Sequence, residues 1–337
     1  MSRRGAAPAG GAEASADPLA SALVVAAHGR HCLIETADGR RLIAHPRGKK
    51  NQAVVGDRVR WVATGDEASI EGLQTRRNLF YRQDEIRTKS FAANLDRVLI
   101  LLAAEPEFSE SQLARALVAC EAERIVPIIA LNKRDLGEAF ARAWQRLAPY
   151  RAMGYAVLGL SLAPKTADPT PSGLEALVEA LRGQHTLVLG PSGTGKSTLI
   201  NRLVPEAQAE TGEISQALNS GKHTTTDTRW YWAPSLDGAA ARGALIDSPG
   251  FQEFGLHHIE ATRLAECMPD MRAHLGQCRF YNCTHLHEPG CAVLAHCGPA
   301  QAEGEGGDGG VWPEGRVSAR RHRIYAQLFE ELSRQRW

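Results

Sequence analysis

The chain has 337 residues, 43% of them hydrophobic and 23% charged, with 39 Lys plus Arg against 38 Asp plus Glu. At roughly 100–200 residues per domain, this length holds two or three domains, and the composition excludes disorder for most of it. A net charge of +1 excludes a globally basic nucleic-acid binder while leaving local basic patches open. No apolar run approaches the roughly 18 residues of a membrane span. The N-terminal MSRRGAAPAGGAEASADP lacks the apolar core of a secretory signal. Of seven cysteines, four lie between Cys278 and Cys297 among histidines, which favours metal over disulfides. A reducing, cytoplasmic setting is expected.

Residues 1–19 carry few large apolar groups and are expected to be a disordered tail. Residues 20–87 read as short strands. LVVAA is apolar, HCLIET and RRLIAH flank Asp38-Gly39, and VVGDRVRWVA and ASIEGLQ follow. An Asp-Gly pair between apolar runs signals a hairpin. Several short strands in one small segment predict an OB-like β-barrel. Arg30, Arg40, Arg41, Arg47, Lys49, Lys50, Arg58 and Arg60 are opposed only by Glu35, Asp38 and Asp57. On a barrel such a basic face suits phosphate neutralisation.

From residue 88 to 265 the pattern predicts an α/β domain. DRVLILLAA, IVPIIAL, YAVLGLS, HTLVLG and GALID read as strands, separated by helical stretches such as SESQLARALVACEAE and SGLEALVEALR. That alternation implies a parallel sheet covered by helices on both faces. Residues 266–337 are expected to form a small α-rich metal-binding domain, with a loose Gly-rich loop at 303–310 and a helix at 316–337.

Gly190-Pro191-Ser192-Gly193-Thr194-Gly195-Lys196-Ser197, followed by Thr198, matches GxxxxGK[ST] between a strand and a helix. Its glycines let backbone N–H groups face phosphate oxygens. Lys196 carries charge to the β- and γ-phosphates, which makes it a catalytic candidate, and Ser197 offers a hydroxyl to Mg²⁺. Asn132-Lys133-Arg134-Asp135 follows a buried strand. A carboxylate there accepts the N1–H and N–H₂ of guanine, a donor pair that adenine lacks, so Asp135 selects GTP. Ser161, at the end of YAVLGLS, is the further guanine-side candidate. Asp247-Ser-Pro-Gly250 fits DxxG, with Asp247 facing Mg²⁺ through water and Gly250 sensing the γ-phosphate. Between them lies Gly221-Lys-His-Thr-Thr-Thr226. In ordinary GTPases NKxD follows DxxG, whereas here Asn132 precedes Gly190 by 58 residues. The motifs are circularly permuted.

Cys278-x₄-Cys283-x-His285-x₅-Cys291 supplies the Cys₃His set of a closed structural zinc site, with His287, His296 and Cys297 as rival ligands. Cys32, Cys120 and Cys267 stand alone and read as packing residues.

These features resemble the circularly permuted GTPases of small ribosomal subunit biogenesis, the RsgA (YjeQ) family. The resemblance covers roughly residues 21–330 and rests on the barrel, the permuted order, GKHTTT, DSPGF and the cysteine cluster. It implies a GTPase, binding GTP and GDP, that acts late in small-subunit maturation. It also implies that the barrel and zinc domain hold rRNA and that the subunit stimulates hydrolysis. It favours Cys278, Cys283, His285 and Cys291 as the zinc set, and Thr225 rather than Thr224 or Thr226 as the Mg²⁺ ligand. Phe251 occupies the position where many GTPases place a water-orienting Gln. The resemblance favours His223 for that task over a merely solvated loop histidine. A monomer without membrane association is expected. The competing readings are a permuted GTPase acting on the large subunit, a P-loop small-molecule kinase, and an RNA-binding zinc protein with a structural P-loop.

Overall fold

The computed structural model describes residues 20–29, 31–48, 52–162, 172–207, 228–249, 254–298 and 312–334. The expected tail at 1–19 and the Gly-rich loop at 303–310 lie outside them. So do Arg30, Lys49, Lys50, His223, Thr225 and Gly250.

Five strands close a barrel: β1 (Ala20–His28), β2 (His31–Thr36), β3 (Arg41–Pro46), β4 (Arg58–Thr64) and β5 (Glu67–Leu73). Their order is β1-β2-β3-β5-β4, with β4 returning to β1. Only β3 and β5 run parallel. This is the predicted OB-like arrangement. Asp38 and Gly39 turn β2 into β3, with Gly39 at φ +83°. Ala22, Val24, Ile34, Val59, Trp61 and Ile70 fill the barrel. Leu23 and Val25, on the opposite face of β1, belong to the core of the next domain. Side chains alternate along a strand, so the unbroken LVVAA run reflects burial on both faces. Several barrel cations have partners: Arg40 pairs with Asp38 at 2.6 Å, Arg41 with Glu35 at 3.1 Å and Arg47 with Glu71 at 2.5 Å. Arg58 and Arg60 are exposed.

A hairpin of β6 (Leu79–Gln83) and β7 (Thr88–Ala93) follows. It wedges between two parts of the chain. Ala93 N donates to the Val55 carbonyl (2.9 Å) on the barrel side, and Gln83 N donates to the Gly255 carbonyl (3.0 Å) on the other. Phe80 and Phe91 pack against Phe254 with ring centroids 5.6 and 6.0 Å away.

The central sheet is parallel in the order β10 (Ala156–Gly159), β9 (Val126–Asn132), β8 (Arg97–Ala103), β11 (His185–Leu189), β13 (Ala244–Asp247). The antiparallel strand β12 (Arg229–Trp232) edges it and meets β1 through the pair Ala26 and Arg229. Along β8, Val98, Ile100 and Leu102 enter one core and Leu99 and Leu101 the other. Each such fully buried aliphatic side chain contributes about 1.5–3 kcal/mol of hydrophobic stabilisation. Helices α1 (Glu110–Ala122), α2 (Glu138–Arg146) and α3 (Ala148–Ala152) supply residues to the first core. Helices α4 (Leu174–Leu181) and α5 (Lys196–Leu203) supply the second.

The C-terminal part comprises a 3₁₀ helix (Ala261–Cys267), α6 (Pro269–Arg272), α7 (Ala292–Ala295) and α8 (Ala319–Ser333). Ser318 caps α8 by accepting from Arg321 N at 3.1 Å. Leu264, Met268, Ile324 and Leu328 share a core with Leu113 and Leu117 of α1. The arginines that open α8 largely serve this docking. Arg321 is 2% exposed and donates twice to Asp270, at 3.0 Å each. Arg320 reaches Glu110 at 2.6 Å. Arg115 of α1 pairs with Glu331. The lone cysteines Cys32, Cys120 and Cys267 are buried, and burial raises each thiol above its ordinary range, Cys32 to about 12.

Candidate active site

Because β8, β9, β10, β11 and β13 are parallel, their carboxyl ends share one edge of the sheet, the side on which ligands bind in open α/β folds. The sequence motifs gather there. The phosphate-loop candidate Gly190–Ser197 joins β11 to α5, so the N-terminus of α5, with its partial positive charge, opens at the loop. Gly195 caps α5 at φ +97° and Gly193 stands at φ +82°. At Gly195 a Cβ would lie 2.5 Å from Asn132 Nδ2, so both conformation and space demand glycine. Thr194 Oγ1 donates to the Pro191 carbonyl at 2.9 Å and closes the loop on itself. Ser192 is exposed, as are Ser197 and Thr198 in the first turn of α5.

Asn132 ends β9 and is 3% exposed. Its Nδ2 donates to the Thr194 carbonyl at 2.8 Å, and its Oδ1 accepts from Leu162 N at 3.0 Å. One side chain therefore ties the phosphate loop to the loop after β10. Lys133 adopts φ 68°, and its Nζ donates to the Glu105 carbonyl. Asp135 sits in the 3₁₀ turn Arg134–Leu136 and is exposed; its Oδ1 accepts from Ser161 Oγ at 2.8 Å. The Arg134 N–H donates to the Leu160 carbonyl at 2.9 Å, so the residue just after β10 holds this turn in place. Asp135 and Ser161 thus stand together, as the two guanine-side candidates must.

Asp247 ends β13, 9% exposed, and its Oδ1 accepts from Lys196 Nζ at 2.5 Å. Lys196 also donates to the Ser248 carbonyl at 2.7 Å. Ser248 is fully buried, and its Oγ donates to the Val188 carbonyl at 2.8 Å, fixing the start of DSPG to β11. Its role was not legible in the sequence, because the second position of DxxG carries no residue-type signal. Asn132, Gly195, Lys196 and Asp247 form one connected site. His223, Thr225 and Gly250 lie outside the described residues.

The second cluster is Cys278, Cys283, His285 and Cys291, whose donor atoms all lie within 4.8 Å of one another. His285 Nδ1 stands 3.5 Å from both Cys278 Sγ and Cys291 Sγ, which are 4.0 Å apart. Four ligands held about 2.0–2.3 Å from one tetrahedral ion lie roughly 3.4–3.8 Å apart, so this set fits zinc. Backbone N–H groups of Ala292 and Leu294 point at two of the sulfurs, at 3.3 and 3.5 Å. Burial pushes the Cys283 thiol up to about 12 without a cation, and a bound metal reverses that preference by stabilising the thiolate.

The rival ligand His296 stacks on His274, centroids 3.9 Å apart, and donates Nδ1–H to the Ala292 carbonyl at 2.8 Å. His287 is exposed, and Cys297 stands in a bridge to Val317. A supporting shell surrounds the four donors. His322 Nε2 donates to the His285 carbonyl at 2.7 Å, and Tyr325 Oη to the Thr284 carbonyl at 2.8 Å. Glu288 accepts from the backbone N–H of Thr284, Leu286 and His287. Burial opposes its ionisation, but the Thr284 hydroxyl and these N–H groups outweigh it and hold the carboxyl well below the usual range.

This fold and site define a P-loop protein of the GTPase class in which the guanine-side element precedes the phosphate loop in the chain. A family model described as RsgA GTPase matches residues 73–257. Two curated proteins called "Small ribosomal subunit biogenesis GTPase RsgA" are similar. That of Variovorax paradoxus is 63% identical over the full length of both chains. That of Paraburkholderia phytofirmans is 50% identical over 92% of this chain and 93% of its own. The crystal structure of YjeQ from Thermotoga maritima superposes with a TM-score of 0.65 at 26% identity, covering 94% of this chain and all of that one. YloQ, described as a circularly permuted GTPase, gives 0.63 at 25% identity over 95% and 98%. The chain belongs to the RsgA GTPase family.

Proposed function

We propose that this protein hydrolyses GTP and assists late maturation of the small ribosomal subunit, with hydrolysis stimulated by the subunit and driving release. The observation that carries the reading is the 63% identity, end to end, with a relative bearing the name of a small-subunit biogenesis GTPase. The connected site at the strand ends supports the chemistry. Asp135, with Ser161 beside it, reads the guanine N–H pair, and Lys133 flanks the base. The loop from Gly190 to Ser197, followed by Thr198, wraps the phosphates, and Lys196 neutralises charge developing between the β- and γ-phosphates. Asp247 aims Lys196, and Gly250 senses the γ-phosphate. Ser197 and Thr225 would hold Mg²⁺, which supplies charge neutralisation to the same phosphates. His223 takes the place of the missing glutamine by orienting the attacking water.

The Cys₃His cluster holds zinc in a structural role, since protein donors fill all four positions. The barrel at 20–87 and the zinc domain at 266–337 flank the GTPase domain at 88–265 and contact rRNA. Among the described residues no helix is long and apolar enough to cross a membrane. A monomer acting in the cytoplasm, where its substrate subunit is assembled, fits this role. Co-sedimentation with purified small subunits tests the partner. Retention with a non-hydrolysable GTP analogue and loss with GDP is expected. Equal sedimentation with large subunits contradicts it.

A further inference from the structure

The barrel and the nucleotide-binding sheet are joined by more than a linker. β12 pairs with β13 on one side, Arg229 opposite Asp247 and Trp232 opposite Ala244. On the other side it pairs with β1, Ala26 opposite Arg229. One row of residues therefore runs Ala26, Arg229, Asp247 across three strands. With neighbouring strands about 4.8 Å apart, the barrel wall stands roughly 10 Å from the backbone of Asp247.

A side-chain bond locks this junction. Trp232 Nε1 donates to Glu35 Oε1 at 2.6 Å, and Arg41 Nε donates to Glu35 Oε2 at 3.1 Å. Glu35 lies on β2 of the barrel, its side chain only 11% exposed, and Trp232 ends β12. Both carboxylate oxygens are engaged and largely withdrawn from water, which makes the bond charge-assisted. The Arg242 guanidinium lies 4.1 Å over the Trp232 ring and fixes its plane. Trp232 stands opposite Ala244 of β13, and Glu35 lies across the junction on β2. They act on the strand beside the one that ends in Asp247, and Asp247 in turn holds Lys196 at 2.5 Å. Misplacing such a group by about 1 Å costs up to about 100-fold in rate.

We propose that Glu35 and Trp232 are positioning residues for GTP hydrolysis. The barrel, through their bond, holds β12 and β13 in the register that presents Asp247 and Lys196 to the phosphates. Whatever grips the barrel thereby acts on the same strands. The inference rests on the GTPase reading and needs no particular partner.

The test is steady-state GTP hydrolysis and fluorescent-GDP binding by the full chain, comparing wild type with Glu35→Ala, Glu35→Gln, Trp232→Phe and the Glu35→Ala/Trp232→Phe pair. Loss of this one bond is expected to lower kcat about tenfold in Glu35→Ala and Trp232→Phe. KM and GDP affinity stay within about twofold, because ground-state binding is untouched. Glu35→Gln keeps an acceptor for the indole and restores most of kcat. The double variant is no slower than either single one, since both remove the same interaction. Trp232→Phe keeps a ring beneath Arg242 and carries the test where Glu35→Ala does not fold. Wild-type kcat in the folded Glu35→Ala and Trp232→Phe proteins overturns the inference. So does an additive loss in the double variant without rescue by Glu35→Gln. A wild-type chain that hydrolyses no GTP refutes the GTPase reading and this inference with it.

Discussion

Asn132→Ala removes one donor and one acceptor where two motif loops meet. The native amide is 3% exposed, donates to the Thr194 carbonyl at 2.8 Å and accepts from Leu162 N at 3.0 Å. Each bond contributes about 1 kcal/mol net, and each partner left buried and unpaired costs about 1–3 kcal/mol. Allowing for water entering the vacated space, the loss is about 2–4 kcal/mol. It falls on the geometry between the phosphate loop and the segment after β10, so it appears in nucleotide binding, as an affinity about 30- to 700-fold weaker. Titration with fluorescent GDP reads it directly. Asn132→Asp is expected to be at least as damaging, because it sets a carboxylate oxygen against the Thr194 carbonyl. An Asn132→Ala protein that binds GDP within about threefold of wild type, a difference of well under 1 kcal/mol, would refute the claim that this side chain ties the two loops.

Three further outcomes are expected. Arg321→Ala strands Asp270 in the interface between α6 and α8, where the pair is 2% and 3% exposed. Breaking a buried ion pair costs about 3–5 kcal/mol, to be read by denaturant unfolding, and a loss below about 1 kcal/mol contradicts the assignment. His258 packs on Tyr81 with centroids 4.3 Å apart, and both its ring nitrogens are buried without a hydrogen-bond partner. Burial, then the neighbouring His257, lowers its pKa from 6.5 to about 4. The unfolded chain therefore binds this proton first, so the stability from neutral His258 is complete above pH 6.5 and drains away towards about 4. His258→Leu should flatten that part of the stability–pH curve, and an unchanged curve counts against the burial argument. Cys283→Ser should abolish stoichiometric zinc in elemental analysis and lower the melting temperature of the C-terminal part, and full zinc retention would move the site elsewhere.

The phosphate loop, NKRD and the cysteine cluster were legible because their chemistry needs particular residue types at short spacing. The parallel sheet was legible because strands covered on both faces, such as Val98 to Leu102, cannot alternate with polar residues. β12 escaped because four residues, Arg229–Trp232, are too short to show a period. The β6–β7 hairpin escaped for a related reason. Its apolar groups, Phe80 and Phe91, are completed by Phe254, which lies far away in the chain. The roles of the arginines that open α8 were not legible. Arg321 and Arg320 point into Asp270 and Glu110, partners that only the folded chain brings near. The same holds for the Glu35–Trp232 bond, which spans 197 residues of sequence.

The most direct measurement of the central claim is steady-state hydrolysis of GTP with and without purified small ribosomal subunits, with ATP as the control nucleotide. A slow rate specific for GTP that rises sharply when small subunits are added is expected. Equal rates with ATP would contradict the role of Asp135, and a GTP-specific rate indifferent to the subunit would contradict the proposed partner.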